Sequence, residues 1–231
     1  MLIKELGGHK GAWLAALAFF PALPAVNLPM REVVALMIAT SFAAGLNVYA
    51  TVGTLGLLGH YQVLALPDGL HVLTSWWVIA VASIMFVIEF FADKIPAFDL
   101  VWSAMHTFVR IPVAALMAYQ ATASLSPAEQ MIATIGGGLI ALAAHGGKTA
   151  ARAAVTPSPE PFSNAALSLA EDGMAIGLTW FATQHPFAAA GIVLVGLVFV
   201  VLILRFVLRS LKSLFRGAEE QIEQASPSQA A

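Results

Sequence analysis

Four carboxylates stand where a largely apolar chain has least use for them: Glu89 and Asp93, four residues apart, and the adjacent pair Glu171 and Asp172. Bases accompany them at helical spacing. Trp102, His106 and Arg110 recur every four residues, and His145, Lys148 and Arg152 follow at intervals of three and four, so each set forms one stripe on a helix. An ionised side chain at the centre of a membrane helix costs about 2.5 kcal/mol or more, so such groups persist where they face a partner, a wet cavity or the interface. Carboxylates held in this way can bind cations or exchange protons with Arg110 as counter-charge, and imidazoles suit a proton relay. The bases could equally hold an anionic lipid head group. Lys94, Lys148 and Arg152 also have a plainer use as interfacial anchors paired with Glu89 or Asp93.

Two irregular stretches flank these groups. Lys94, Pro96 and Asp99 follow Asp93 at once, and Pro96 is expected to break the helix there and free backbone groups beside the carboxylates. The run Thr156-Pro157-Ser158-Pro159-Glu160-Pro161-Phe162-Ser163-Asn164 forbids a regular helix, and Ser163 or Asn164 is placed to cap the next one. That N-terminus would offer its positive dipole end to an anion or a carboxylate, or the run is a rigid turn.

Catalytic signatures are missing. The chain has no Gly-x-Ser-x-Gly, no His-Glu-x-x-His and no Walker loop, so an enzyme is the lesser expectation. With no cysteine, disulfides, thiolate metal sites and cysteine nucleophiles are excluded. Carboxylates and histidines could hold a metal, but without diagnostic spacing. No cofactor and no nucleic-acid partner are expected.

The elements that must position these residues follow from composition. Of 231 residues 59% are hydrophobic and 10% charged, with mean hydropathy +0.84, whereas a soluble domain carries about 25% charged residues. The expectation is an all-α, polytopic transmembrane helical bundle whose main partner is the lipid bilayer. Windows of about 20 apolar residues place six spans, at about 33 to 58, 74 to 92, 101 to 120, 130 to 150, 164 to 181 and 187 to 208. Residues 1–32 would hold a short apolar re-entrant or interfacial segment, Ala12 to Val26, interrupted by Pro21 and Pro24, with a cleaved signal peptide as the rival reading. Residues 33–208 form the transmembrane domain and 209–231 a polar tail. Arg205, Arg209, Lys212 and Arg216 put the C-terminus in the cytoplasm, while segments 59 to 73, 121 to 129 and 182 to 186 lack Lys and Arg and face outside, with His60, His71 and His185 in external loops.

Met37-Ile38-Ala39-Thr40 and Met131-Ile132-Ala133-Thr134 open the first and fourth spans, each followed by small residues. Three spans apart, they suggest an inverted 3+3 repeat of 33–120 and 130–208, as in secondary transporters. Ser41, Gly45 and the triplet Gly136 to Gly138 also suit close helix packing.

The run Glu89-Phe90-Phe91-Ala92-Asp93-Lys94-Ile95-Pro96 with Asp99 and Trp102, then His106-Thr107 with Arg110, and Ser158-Pro159-Glu160-Pro161-Phe162-Ser163-Asn164 ahead of Glu171-Asp172, resembles bacterial membrane proteins grouped as domain of unknown function 4126. The resemblance covers roughly Val33 to Arg205. It implies a multi-pass protein of the bacterial inner membrane and lends no activity. The first functional expectation is a transporter or channel for an ion or small polar solute. The second is a protein that binds, flips or processes a lipid phosphate, and the third a non-catalytic scaffold. A homo-oligomer is compatible with each.

Overall fold

Seven α-helices and one 3-10 helix make up the described residues, 28–155 and 161–225 of a computed structural model, with no strand among them. We number them α1 (Met30–Leu46), α2 (Val48–His60), the 3-10 helix (Asp68–Thr74), α3 (Trp76–Ala92), α4 (Pro96–Ala121), α5 (Pro127–Val155), α6 (Pro161–Gln184) and α7 (Pro186–Ala225). The N-terminal segment Ala12 to Val26 and residues 226–231 lie outside the described residues.

Proline sets the starts. Pro96, Pro127, Pro161 and Pro186 are each the first residue of a helix, where the missing N–H costs nothing and φ is already helical. Pro96 therefore opens α4, and the break lies just before it, at residues 93–95. The start of α5 is further secured by a reciprocal cap. Glu129 accepts from the Ser126 backbone N–H at 3.1 Å and the Ser126 hydroxyl at 2.6 Å, which holds its carboxyl below the usual carboxylate range.

The surface is inside-out by the standards of a soluble protein. Trp77, Phe108, Ile132 and Phe206 are 84, 82, 71 and 68% exposed, while Glu89 and Arg110 are 0% exposed. Water rejects such an exterior and hydrocarbon accepts it. Two helices are long and apolar enough to cross a membrane, Val101–Ala121 and Pro186–Ser210, or three if the 3-10 helix and α3, bent by 64°, count as one span. The remainder of the six expected spans falls short in specific ways: α3 has 17 residues, and α5 and α6 dilute their apolar content with glycine and with the ionisable groups themselves.

The single helix expected over about 33 to 58 is instead two. Asn47 has extended backbone (φ −149°, ψ 105°), and its side-chain oxygen accepts from the Ala50 N–H to cap α2. Downstream of α2, Leu66 packs where a Gly59 side chain would be, and the same stretch lines a 390 Å³ cavity together with Leu28, Met30 and Val33 at the start of α1. The two short helices thus fold back toward one another around Asn47. At 1.5 Å per residue neither alone reaches the thickness of a hydrocarbon core, about 30 Å.

Helix α1 is central and packs against α4, α5, α6 and α7. The α1–α5 seam is tight because it is glycine-lined. A Cβ on Gly45 would overlap the Ala141 carbonyl, and one on Gly137 would come 3.0 Å from Ser41 Oγ and 2.8 Å from Ala118 Cβ. Along this seam Ser41 meets Gly137, Gly45 meets Ala141 and Ala144, and the Leu46 carbonyl meets Lys148, so α1 and α5 run parallel. An inverted repeat would set its first helices antiparallel, and α5 has no counterpart of the break at Asn47; the two Met-Ile-Ala-Thr segments are neighbours in a packing seam. Helix α4 runs antiparallel to α5, with Gly137 against Ala118 and His145 against Arg110 and Thr107. Helices α2 and α3 are antiparallel too, through Gly53 with Ala82 and Gly56 with Ile79.

Candidate functional site

The helix directions bring one end of α3, the middle of α4, the last half of α5 and the middle of α6 to the same place, beside the Asn47 turn. Nine of the sequence-predicted residues meet there and all are buried: Glu89, Asp93, His106, Arg110, His145, Lys148, Arg152, Glu171 and Asp172. Lys94 does not join them. It turns back on its own helix, donating to the Phe90 carbonyl at 2.8 Å with its ammonium 3.1 Å from the Phe90 ring centroid. Glu160 and the side chains of Asp99 and Asn164 lie outside the described residues. Of the loop histidines, His71 and His185 are exposed, and His60 is half-buried, bonded through Nδ1 to the Thr74 carbonyl at 2.9 Å.

Three pairings organise the cluster. Arg110 donates to Glu89 through Nη2, with both side chains fully enclosed. Its Nη1 lies 2.9 Å from His145 Nδ1. Guanidinium can only donate, so Nδ1 accepts, and His145 Nε2 carries the ring proton toward Thr107 Oγ1 at 2.7 Å. The Thr107 hydroxyl in turn donates to the Ser103 carbonyl at 3.1 Å. This chain fixes His145 as one neutral tautomer. In this geometry the ring is an acceptor toward Arg110, whereas its spacing in the sequence had suggested a cationic stripe or a proton relay.

Lys148 stands at the centre. Its Nζ is 3.3 Å from Asp93 Oδ2, 3.2 Å from Glu171 Oε2 and 3.8 Å from Glu89 Oε1, and it donates to the Leu46 carbonyl at 3.2 Å. That carbonyl ends α1, where the helix dipole favours a cation. Arg152 completes the set from the next turn of α5, with Nη2 2.8 Å from Asp93 Oδ2 and 2.5 Å from Glu171 Oε2. Lys148 and Arg152 are thus ion-pair partners deep in the bundle, beyond the anchoring use their sequence position allowed.

Asp172 is set apart. Its Oδ1 accepts from Asn47 Nδ2 at 2.9 Å, and its Oδ2 is buried without a hydrogen-bond partner among the described residues. The amide cannot be turned around, because its oxygen is engaged with the Ala50 N–H at 2.9 Å. Sequence reasoning missed Asn47. A lone Asn two residues after Gly45 in an apolar stretch, poor in a helix and good as a cap, was the available signal.

His106 occupies the rim. Nδ1 donates to the Trp102 carbonyl at 2.8 Å, the ring stacks on Trp102 at 4.2 Å, and Tyr49 meets it edge-on at 5.7 Å. Among the described residues no three His, Asp or Glu groups are arranged to hold a metal ion.

The neighbouring cavity is of a different kind. About 760 Å³ in volume, it lies among α1, α5, α6 and α7, lined by apolar side chains and by Gly147, Gly173, Gly177 and Gly196, and it reaches Lys148 and Glu171 at its polar limit. The cluster is therefore bounded on this side by apolar side chains, which suit hydrocarbon better than a hydrated solute.

A family model described as domain of unknown function (DUF4126) matches residues 34–206. The chain belongs to that family. The match coincides with the resemblance read from the motifs, and in this DUF4126 chain it embraces every member of the buried cluster together with Asn47. No curated protein and no solved structure matches the chain.

Proposed function

We propose that this DUF4126 protein is a multi-pass protein of the bacterial inner membrane that moves an ion or small polar solute through the buried cluster. The observation that carries this reading is the charge count. Among the described residues, Glu89, Asp93, Glu171 and Asp172 give four acids and Arg110, Lys148 and Arg152 three bases, all buried at one place in an apolar bundle. A structural ion-pair network has reason to balance; one surplus acid invites a mobile positive charge.

In this reading α3 to α7 cross in alternating directions, and the α1–α2 hairpin enters partway with Asn47 at its tip. The broken backbone then faces the polar cluster, as broken helices do in carriers. Lys94, at the end of α3, and Arg205, Arg209, Lys212 and Arg216, along α7, share the cytoplasmic side, so the cluster lies in the cytoplasmic half.

The test is flux. Wild-type protein in liposomes loaded with a pH-sensitive dye, given a potassium-diffusion potential and pulses of Na⁺, K⁺ or Li⁺, should show pH-dependent movement of H⁺ or of one of these ions. Asp172→Asn should abolish it while the protein stays folded, and flux equal to that of empty liposomes would sink the reading.

Lipid handling is the second reading, favoured by the apolar cavity that ends at Lys148 and Glu171. Arg110, enclosed with Glu89 and His145, is poorly placed for a head group. Lys148→Met, not an Arg110 variant, should then release a copurifying phospholipid or polyprenyl phosphate.

A further inference from the structure

Asp93 and Glu171 share Lys148 and Arg152, and Glu89 holds Arg110, which leaves Asp172 as the carboxyl of the cluster whose one hydrogen-bond partner among the described residues is a neutral amide. We propose that Asp172 is the single exchangeable-proton site of the cluster and that its resting form is the carboxylic acid, read out to the α1–α2 hairpin through Asn47. This deepens the transport reading by naming the mobile charge and the atom that takes it, Asp172 Oδ2.

The charged groups facing Asp172 are Lys148 from α5, Asp93 from α3 and Glu171 beside it on α6. The hairpin contributes only the amide of Asn47. Lys148 is already shared among other carboxylates, with no contact to Asp172 within ion-pair distance among the described residues. Two negative groups and one committed ammonium do not favour a second bare charge. A metal cation would need several oxygens at short range, and the described acids and imidazoles supply no such set. A proton needs one oxygen, and Asp172 Oδ2, Glu89 Oε2 and Asp93 Oδ1 are each buried with nothing bonded to them among the described residues; Glu89 and Asp93 meet a base through the other oxygen, whereas Asp172 meets the Asn47 amide. Uptake is the addition of H⁺ from water to that oxygen, and release returns it. The control is His106, the buried ring at the rim of the cluster that stacks on Trp102.

Asn47 couples the proton to the fold. The same amide caps α2 through its oxygen and donates to Asp172 through its nitrogen. An ionised Asp172 pulls on Nδ2 more strongly than the acid does, and any displacement of Asn47 moves both ends of the break. Thus the hairpin senses whether the proton is bound.

Infrared difference spectroscopy of the full-length protein in lipid nanodiscs reads this directly. Wild type should show a protonated-carboxyl band of one group per chain at neutral pH, lost on raising the pH. Asp172→Asn should lose that band, while Glu171→Gln and His106→Gln should keep it. No band in wild type, or a band that survives in Asp172→Asn, overturns the proposal. Misfolding of Asp172→Asn would also count against it, since an amide is the nearest neutral mimic of the acid. The two readings fail separately: a band assigned to Asp172 with no flux rejects transport alone, and flux without the band rejects the proton site alone.

Discussion

Glu171 and Asp172 are adjacent in the chain and live in unlike surroundings. On one side of α6, Glu171 meets Arg152 and Lys148 within 2.5 to 3.2 Å and belongs to a network in which each base serves at least one acid. About 100° around the same helix, Asp172 faces the tip of the α1–α2 hairpin, where a neutral amide is its hydrogen-bond partner among the described residues. The difference separates two uses for an acid inside an apolar bundle. The first is fixed charge, which holds helices together at a desolvation cost that its partners offset. The second is a group whose charge can change without stranding a partner.

Breaking the fixed side should cost most. Arg110→Met leaves Glu89 enclosed and uncompensated and should lower stability by about 3–5 kcal/mol in detergent unfolding, with Glu89→Met in the same chain restoring most of it. Next, Glu171→Gln weakens two contacts to bases and should cost about 1.5–3 kcal/mol by the same measurement. A comparable loss for Asp172→Asn would erase the contrast between the neighbours. Gly45→Ala attacks the seam that sets the hairpin. With the Ala141 carbonyl in the way, α1 must retreat from α5, at about 1–3 kcal/mol, and Asn47 should move off Asp172, seen as faster hydrogen exchange at the Ala50 amide.

Smaller effects sharpen the comparison. Asn47→Ala removes the cap of α2 and should cost about 0.5–2 kcal/mol. A double-mutant cycle with Asp172→Ala, which removes the accepting oxygen, isolates the contact. Coupling of about 0.5–1.5 kcal/mol marks a neutral hydrogen bond, whereas about 1.5–3 kcal/mol marks an ionised carboxylate and would contradict a resting acid. Asp172→Asn alone should change stability least, within about 0.5 kcal/mol, the range of a substitution that strands nothing.

Much of the site is legible in the sequence, because burying charge in an apolar chain is expensive enough that each surviving charge declares itself. Spacing placed His145, Lys148 and Arg152 on one face of a helix, and that face points into the cluster. Spacing was silent about roles. Lys94 sits one residue after Asp93 and has no part in the network, since its stem curls back to the Phe90 carbonyl. His145 matched the cationic stripe but is an acceptor, a fact that depends on Arg110 arriving from α4. The break at Asn47 was hidden because apolarity runs unbroken through 33 to 58, and one cap residue hardly alters a hydropathy window.

Composition alone therefore determined the all-helical, apolar character of the chain and the list of acids and bases that had to be reckoned with. Those properties are sums over local sequence. Which acid meets which base was decided by tertiary structure, since the deciding contacts join residues 21, 59 and 125 positions apart, Glu89 to Arg110, Asp93 to Arg152 and Asn47 to Asp172. Glycine seams set how closely the helices approach, the approach sets which oxygen is left over, and no window along the chain contains that information.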